Sequence, residues 1–334
     1  MRKREVDFIL TWVDGNDDDW IKEKSKYDSD ESIDSSVKRY RDWGLLKYWF
    51  RGVERFAPWI NKVFFITVGH VPEWLNLDHP KLEFIKHEEF IPKEYLPTFN
   101  SHTIELNFHR IDGLSEHFVY FNDDMFLLNY VEENDFFLDG LPCDTALMRP
   151  IPTDKPSQFQ HILLNTVSVL NLNFNFKQSI TNNFTKWVNE KYHTEFNSRN
   201  ITFFKMLEYF PGFVDHHLPS NYLKSTLVEV WKHAGDFLHT TSTRKFRHDK
   251  DVNQYIFRYW QLAKGNFNPV NIDKIGTYYS LPRDLNNVLQ EINKNKFKLI
   301  CINDSDDSMN IKEVSDRLLE EFEKSLPYKS TFEK

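Results

Sequence analysis

The chain has 334 residues, 40% of them apolar and 16% aromatic, which is enough for one large α/β domain with an appended part, or for two domains. Its 50 acidic and 42 basic residues give a net charge of −8, which argues against a general nucleic-acid binder but leaves room for a local basic pocket. The two cysteines, Cys143 and Cys301, supply neither a disulfide framework nor a zinc cluster.

The sequence favours a cytoplasmic location. No apolar run approaches the ~20 residues that span a bilayer, and the start, "MRKREVDFILTWVDG", turns acidic too early for a signal peptide. Two widely separated cysteines suit a reducing compartment. Arg2, Lys3 and Arg4 carry the charge to contact anionic lipid, so peripheral association with the inner face of the membrane stays open.

The first 150 residues alternate predicted strands with predicted helices. We place a surface loop at residues 17–36 and helices at residues 37–56 and 101–110, from their polar and helical patterns respectively. This alternation predicts an α/β fold with a doubly wound, mostly parallel sheet. The predicted strands are "VDFILTWVDG" (6–15), "NKVFFITVG" (61–69), "KLEFIKH" (81–87) and "SEHFVYFND" (115–123).

Residues 151–334 are predicted to be mainly helical. A late strand is predicted near residues 297–303, and the last helix repeats apolar residues between positions 311 and 326. The sequence has no internal repeat, and no low-complexity linker separates its two halves. We therefore expect residues 151–334 to pack on the sheet and to complete the same domain as residues 1–150.

Three of the predicted strands end in polar residues. In doubly wound sheets, ligands gather at the carboxyl ends of the strands. We therefore expect one crevice bordered by Asp14 and Gly15 after the first strand, Gly69 and His70 after the second, and Asn122, Asp123 and Asp124 after the fourth.

The adjacent carboxylates Asp123 and Asp124 lie between two apolar runs, "FVYF" and "MFLL". Such a pair repels unless a cation or a proton intervenes. One interpretation is a site for a divalent metal ion or a general base that faces a phosphorylated ligand, because Mg²⁺ favours carboxylates and phosphate oxygens. The other is a simple strand-to-turn junction.

A histidine pair and a basic cluster supply further candidates. His217 lies in "VDHHLPSNYLK", and Arg247 and His248 lie in "TSTRKFRHDKD". These side chains offer the donors, positive charge and titratable base that a phosphoryl group requires. A buried structural histidine and a solvated basic turn are the alternatives, and spacing does not decide between them. The chain lacks the zinc-protease helix, the nucleophile elbow, the Walker loop and the dinucleotide fingerprint.

Four blocks of the sequence, taken in order, carry a family resemblance. The blocks are "DFILTWVDGNDDDW" (7–20), a long stretch from "RYRDWGLLKYW" at residue 39 to "SHTIELNFHRIDGLSEHFVYFNDDMFL" ending at residue 127, "HHLPSNYLK" (216–224) with "STRKFRHDKDVNQY" (242–255), and "CINDSDD" (301–307). Together they resemble the Stealth family of sugar-1-phosphate transferases. The family includes bacterial capsular polysaccharide phosphotransferases and the lysosomal-enzyme N-acetylglucosamine-1-phosphotransferase.

The resemblance implies the residues of an active site. By motif position, it implies that Glu105, Asp124, His217 and Arg247 are catalytic, and that Asp123 and Asp124 bind Mg²⁺ or Mn²⁺. Trp43 and Leu45 depart from the family pattern, where Asn and Glu are expected. The implied substrate-binding residues are Thr11, Trp12, Val13, Gly15, Arg41, Asn100, Ser101, Arg110, Asn122, His248 and Asn303.

The resemblance also implies a reaction. A hexose-1-phosphate would pass from a nucleotide diphosphate sugar, with UDP-N-acetylhexosamine the expected donor, to a hydroxyl of a polysaccharide or oligosaccharide. The products would be a phosphodiester and a nucleoside monophosphate, in capsular or cell-surface polysaccharide synthesis. Residues 1–150 would bind the nucleotide sugar, and either Asp124 or His217 would be the base.

Two other functions stay open at this point. A metal-dependent glycosyltransferase would move the sugar alone and leave both phosphates on the nucleotide. A non-catalytic glycan-binding protein would use the same groove without chemistry. Trp231, Tyr259 and Trp260 are candidates for contacts with a glycan acceptor, but aromatic residues at helical spacing are more often core residues.

Overall fold

A computed structural model describes residues 4–27, 40–154, 157–305 and 310–334. The strands in these ranges are β1 (Val6–Thr11), β2 (Val63–Thr67), β3 (Leu82–Lys86), β4 (His117–Phe121), β5 (Met125–Leu127), β6 (Phe137–Leu138), β7 (Leu141–Asp144), β8 (Ser220–Leu223), β9 (Asn268–Pro269), β10 (Gly276–Leu281) and β11 (Leu299–Asp304). The helices are α1 (Asp18–Ser25), α2 (Leu46–Phe56), α3 (His87–Phe90), α4 (Ser101–Leu106), α5 (Glu133–Phe136), α6 (Gln158–Asn173), α7 (Phe176–Asn182), α8 (Phe184–Trp187), α9 (Thr194–Met206), α10 (Lys224–Ser242), α11 (Tyr255–Lys264), α12 (Leu285–Lys294) and α13 (Ile311–Ser325).

The main sheet has five strands in the order β3-β2-β1-β4-β8. The first four are mutually parallel, and β8 runs antiparallel to β4 at the edge. Phe8 and Leu10 of β1 face one hydrophobic core, whereas Ile9 faces the other. Burial on both faces explains why these strands are continuous apolar runs. The predicted α/β fold with a mostly parallel, doubly wound sheet is confirmed.

A second, three-stranded sheet joins the two halves of the sequence. Its order is β10-β11-β5, with β11 antiparallel to β5 and parallel to β10. Strand β11 is the late strand that the sequence predicts. Because β5 directly follows the turn after β4, this pairing connects the carboxyl-terminal part to the predicted crevice. The division at residue 150 stays a prediction.

Two predictions near the amino terminus are wrong in part. Residues 18–25 form α1 rather than a loop, because the Asp17 side chain accepts a hydrogen bond from the Trp20 backbone N–H at 2.7 Å and so caps the helix. The helix predicted at 37–56 begins only at Leu46, after Gly44 adopts a φ of +71°. Residues 28–39 lie outside the described part of the chain.

The carboxyl-terminal half is mainly helical from α6 to α11, as predicted, but it also contributes strands that the sequence analysis missed. These are β8, β9 and β10. No helix in the described ranges is both long and apolar enough to cross a membrane. Arg4 donates a hydrogen bond to Glu133 at 2.8 Å, and Arg2 and Lys3 lie outside the described residues.

Candidate active site

A cavity of about 230 Å³ opens at the carboxyl ends of β1 and β4. It is lined by Thr11, Trp12, Val13, Trp20, Tyr40, Arg41, Asp42, Trp43, Leu45, Leu46, His87, Thr98, Phe99, Ser101, Ile104, Tyr120, Asn122, Asp123, Asp124, Phe126, His217, Arg247, Ile302, Asn303 and Asp304. The end of β2 does not line it directly. His70 instead accepts a hydrogen bond from the Asp14 backbone N–H at 2.9 Å and so supports the loop after β1.

The turn between β4 and β5 places Asp124 at the centre of a polar cluster. Its Oδ2 lies 3.4 Å from His217 Nε2 and accepts the Cys301 S–H at an Sγ–Oδ2 distance of 3.3 Å. Its backbone carbonyl accepts the Ile302 N–H at 2.8 Å. Oδ1 is buried and has no hydrogen-bond partner among the described residues. A buried carboxylate oxygen without a donor is costly, which indicates that a ligand completes this site.

Asp123 adds a second carboxyl group to the same wall. Its side chain is open to water within the cavity, yet the surrounding protein and the charges of Asp124 and Asp42 raise its pKa to about 8. Two adjacent carboxylates that cannot both ionise easily form a site that a cation stabilises. Carboxylate oxygens are the ligands that Mg²⁺ and Mn²⁺ prefer.

Asp124, His217 and Cys301 together could hold a metal ion, because one ligand atom from each lies within 4.8 Å of the others. Burial, followed by the charge of Asp124, raises the pKa of the Cys301 thiol well above its ordinary value. A protonated thiol is a poor metal ligand. The carboxylates therefore fit a hard divalent ion better than Cys301 does.

His217 has an unusual backbone conformation, with a φ of +46°. This left-handed region is uncommon for a residue with a side chain and is often found where function requires a fixed direction. Burial lowers the pKa of His217, but the hydrogen bond with Asp124 and the charge of Asp124 outweigh burial and raise it. The imidazolium is therefore favoured relative to a free histidine.

A buried ion network holds the loop that carries His217. Arg258 Nε donates to Asp144 at 2.9 Å, and Arg258 Nη1 donates to Asp215 at 2.9 Å. The Tyr259 hydroxyl donates to the other oxygen of Asp215 at 2.7 Å. Asp215 is two residues before His217, so this network restrains the backbone on that side.

Arg247 reaches the cavity from the loop after α10. Its Nη2 donates to the Ser101 hydroxyl at 2.7 Å, which fixes the guanidinium over the start of α4. The same loop is anchored by Asp251, a fully buried carboxylate. Asp251 Oδ1 accepts from Arg244 Nη1 at 2.7 Å, and its Oδ2 accepts from the His248 backbone N–H at 3.0 Å.

Glu105 does not line the cavity. It is 6% exposed and accepts a hydrogen bond from the Tyr120 hydroxyl at 3.3 Å. That hydroxyl lies 3.2 Å from Thr11 Oγ1, and both Tyr120 and Thr11 line the cavity. Glu105 therefore lies one side chain behind the wall. Three of the four residues predicted to be catalytic, Asp124, His217 and Arg247, do meet in the cavity.

Most residues predicted to bind substrate line the same cavity, and four do not. Gly15 contacts the Tyr40 carbonyl so closely that a Cβ there would lie 1.9 Å from the oxygen. Arg110 is exposed and stacks on the Trp231 ring at 5.0 Å. The cavity-lining members of the predicted set are Thr11, Trp12, Val13, Arg41, Ser101, Asn122 and Asn303.

The other two, Asn100 and His248, belong to the Asp251 network. Asn100 Nδ2 donates to Asp251 Oδ2 at 3.0 Å and also caps α4 through the His102 N–H. The aromatic residues proposed to contact a glycan also lie elsewhere. Tyr259 and Trp260 are core residues, and Trp231 Nε1 donates to the Leu106 carbonyl. The helical spacing of these aromatics therefore reflected packing.

The sequence analysis missed an aromatic cluster on the cavity wall. Trp20 packs edge-on against Tyr40 at 4.9 Å and against Phe99 at 5.7 Å, and Phe99 stacks on Phe246 at 5.3 Å. It also missed His87, which directly follows β3. The rule that ligands gather at strand ends, when applied to the third strand, would have found His87.

Comparison with known proteins identifies the family. A capsular polysaccharide phosphotransferase, WcwK, from Streptococcus pneumoniae is 42% identical over 99% of this chain and 98% of its own length. Models of Stealth conserved regions 1 and 2 match residues 4–32 and 39–143 of the chain. The chain belongs to the Stealth family.

Other Stealth relatives have similar coverage. The receptor polysaccharide phosphotransferase WefC of Streptococcus gordonii is 37% identical over 98% of this chain and 99% of its own. The exopolysaccharide phosphotransferase cps2G of Lactiplantibacillus plantarum is 38% identical over 99% of this chain and 96% of its own. This Stealth protein is therefore an enzyme, a phosphotransferase. Among solved structures, mouse xyloside xylosyltransferase 1 superimposes with a TM-score of only 0.39 at 9% identity, over 89% of this chain and 96% of its own.

Proposed function

We propose that the enzyme transfers a hexose-1-phosphate from a nucleotide diphosphate sugar to a hydroxyl of a polysaccharide acceptor in capsule synthesis. The expected donor is a UDP-N-acetylhexosamine. The observation that supports this most directly is the meeting of Asp124, His217 and Arg247, from three distant parts of the chain, in one cavity. Such a set offers a carboxylate and two cationic donors to a phosphate group.

In the proposed reaction, the acceptor oxygen bonds to the phosphorus that carries the hexose. The bond from that phosphorus to the bridging oxygen breaks, and the nucleoside monophosphate leaves with that oxygen. Negative charge builds on the non-bridging oxygens. Arg247, held by Ser101, is placed to donate hydrogen bonds to them.

The remaining roles follow from charge. The raised pKa of His217 favours its cation, which suits a contact with phosphate oxygens. Asp124 then accepts the proton of the acceptor hydroxyl. If Asp124 instead joins Asp123 in holding a divalent ion, the neutral form of His217 would accept that proton. Bound there, Mg²⁺ or Mn²⁺ would supply positive charge beside the phosphate. Glu105 would act through Tyr120 by fixing the hydroxyl of that residue on the wall.

The test follows the phosphorus atom next to the hexose. The purified enzyme is incubated with a panel of nucleotide sugars labelled at that phosphorus, an oligosaccharide acceptor, and Mg²⁺ or Mn²⁺. We expect the label in the acceptor, a phosphodiester signal in phosphorus NMR, and release of a nucleoside monophosphate. Release of a nucleoside diphosphate, with the label still in it, would instead establish transfer of the sugar alone.

Controls separate the metal from the protein chemistry. A chelator should abolish transfer, and Mg²⁺ or Mn²⁺ should restore it. Asp112, an exposed residue that accepts only the Gly113 N–H among the described contacts, gives the matched variant Asp112→Asn, which should transfer normally. If no donor in the panel reacts although glycan binds, the proposed hexose-1-phosphate transfer is wrong for these donors.

A further inference from the structure

His87 is a buried histidine on the cavity wall with no role in the chemistry above. It follows β3 directly and is 8% exposed. Its Nδ1 is buried and has no hydrogen-bond partner among the described residues. An unpaired nitrogen of this kind costs free energy unless a ligand satisfies it. His87 therefore calls for a polar partner that the described residues do not provide.

The charge of His87 restricts what that partner is. Burial, with a smaller contribution from the charge of His70, lowers the pKa of His87 to about 4. The imidazole is neutral at physiological pH, with one nitrogen that donates and one that accepts. A neutral ring lacks the charge that would favour phosphate over an uncharged partner. It suits an uncharged group with donors and acceptors on its edge.

The order of the strands separates His87 from the carboxylates. Strand β3 lies three strand spacings from β4 in the order β3-β2-β1-β4, which is about 14 Å at ordinary spacing. Asp123 and Asp124 follow β4. If the phosphates of the donor lie at these carboxylates, the hexose is beside them, because it is bonded to the second phosphate. The ribose and the base extend away from them.

The wall around the cavity also suits a flat ring. Trp12 and Trp20 line the same cavity as His87, and the His70 ring lies 6.2 Å from the Trp12 ring and 6.5 Å from the Trp20 ring. Trp20 in turn packs against Phe99. Aromatic rings bind the face of a planar heterocycle, and a polar side chain binds its edge. A nucleobase has both features.

Building on the proposed function, we propose that His87 hydrogen-bonds the nucleobase of the donor nucleotide and so contributes to the choice of base. The contact lies away from the bonds that change. It should therefore act mainly on donor binding, through KM, and little on kcat.

The experiment compares a nucleotide with the same molecule lacking its base. Binding of UMP and of ribose 5-phosphate is measured by calorimetry for the wild-type enzyme and for His87→Ala. We expect His87→Ala to weaken UMP binding about tenfold, as the loss of one hydrogen bond does. Ribose 5-phosphate should bind both proteins equally. With the full donor, KM should rise about tenfold while kcat changes less than about twofold.

His109 provides a matched control. Like His87, it has a buried Nδ1 without a hydrogen-bond partner in the described part of the chain. Burial, with a smaller effect from Arg110, lowers the pKa of His109 to about 4. It does not line the cavity. His109→Ala should leave UMP binding unchanged. If His87→Ala fails to fold, His87→Phe tests the same loss with the ring volume kept, and His87→Asn should recover part of the binding.

The outcomes are distinct. A selective loss of UMP binding in a folded His87 variant, with a flatter preference among UMP, CMP, GMP and AMP, supports the inference. Equal losses for UMP and ribose 5-phosphate, or no loss for UMP, overturn it and leave the proposed transfer intact. A wild-type enzyme that binds none of the four nucleotides overturns the proposed function itself, and the role of His87 with it.

Discussion

Two carboxylate sites flank the loop that carries Arg247, and they differ in how their charge is satisfied. Both oxygens of Asp251 accept hydrogen bonds from side chains or backbone, with Asn100, His102 and Arg244 among the donors. Asp124 has one oxygen without a partner among the described residues, and Asp123 beside it has a raised pKa. The first site is complete as folded, whereas the second needs a ligand.

The difference separates structural from functional acids. A fully paired buried carboxylate is satisfied by the fold and leaves no oxygen for a ligand. A pair of carboxylates with an unpaired oxygen is not satisfied by the fold, and it can bind a ligand through that oxygen. Substitutions at the Asp124 site should therefore affect mainly activity, and substitutions at the Asp251 site should affect mainly stability.

The largest effect is expected for Asp124→Asn. Loss of the negative charge should lower kcat/KM for phosphosugar transfer by about 10²–10⁴-fold, the usual range for a positioned acid or base. The free energy of unfolding should stay within about 1 kcal/mol of wild type, because the partly exposed pair with His217 contributes little. Transfer assays and urea denaturation check both. A variant that loses stability and keeps activity would make Asp124 the structural acid.

Arg247→Ala should have the next largest effect. Removal of one donor to the developing charge typically costs about 10²–10³-fold in kcat. Arg283, whose side chain is 74% exposed, gives the control variant Arg283→Ala, which should be as active as wild type. An Arg247→Ala enzyme within about threefold of wild type would place the phosphate away from this residue.

Asp251→Asn should mainly destabilise the protein. Breaking the buried pair with Arg244 leaves an uncompensated charge and costs about 3 kcal/mol. Urea denaturation measures the loss. Because the Asp251 network anchors the loop of Arg247, the activity of the remaining folded enzyme should fall by less than in Arg247→Ala. Equal or larger loss of activity without loss of stability would contradict this structural role.

The smallest expected effect is on the free energy of unfolding at acidic pH. Burial raises the pKa of Asp251, but hydrogen bonds from His102 and Arg244 outweigh burial and lower it. An acid whose pKa falls on folding stabilises the protein above its unfolded pKa, about 3.9 for Asp, and loses that contribution below it. The wild type should therefore lose stability below about pH 4 more steeply than Asp251→Asn. Parallel curves of unfolding free energy against pH would contradict the prediction.

The sequence predicted the sheet and the position of the paired aspartates because both depend on local pattern. Strands that are buried on both faces are apolar, and the polar residues that follow them mark the strand ends in the sequence. The rule that ligands gather at strand ends also applies to His87, which follows β3. The satisfied state of Asp251 depends on donors from four separate positions, and no local pattern reports it.

The sequence also does not show how far behind the cavity wall a side chain lies. Glu105 was predicted to be catalytic; it lies behind the cavity wall, bonded to the Tyr120 hydroxyl, and its role stays a prediction. Asn100 and His248, predicted to bind substrate, bond to Asp251, and their contact with substrate stays a prediction. In each case the residue lies close to the site in the chain and one layer away from it in space.

Strand β11 closes the site from the far end of the chain, since its Ile302 N–H bonds to the Asp124 carbonyl and its Cys301 thiol to the Asp124 side chain. During synthesis the amino-terminal strands leave the ribosome long before residue 302 does. A nascent chain with its central sheet already folded would still lack these two contacts. The site around Asp124 is therefore complete only once β11 has been synthesised and has paired with β5.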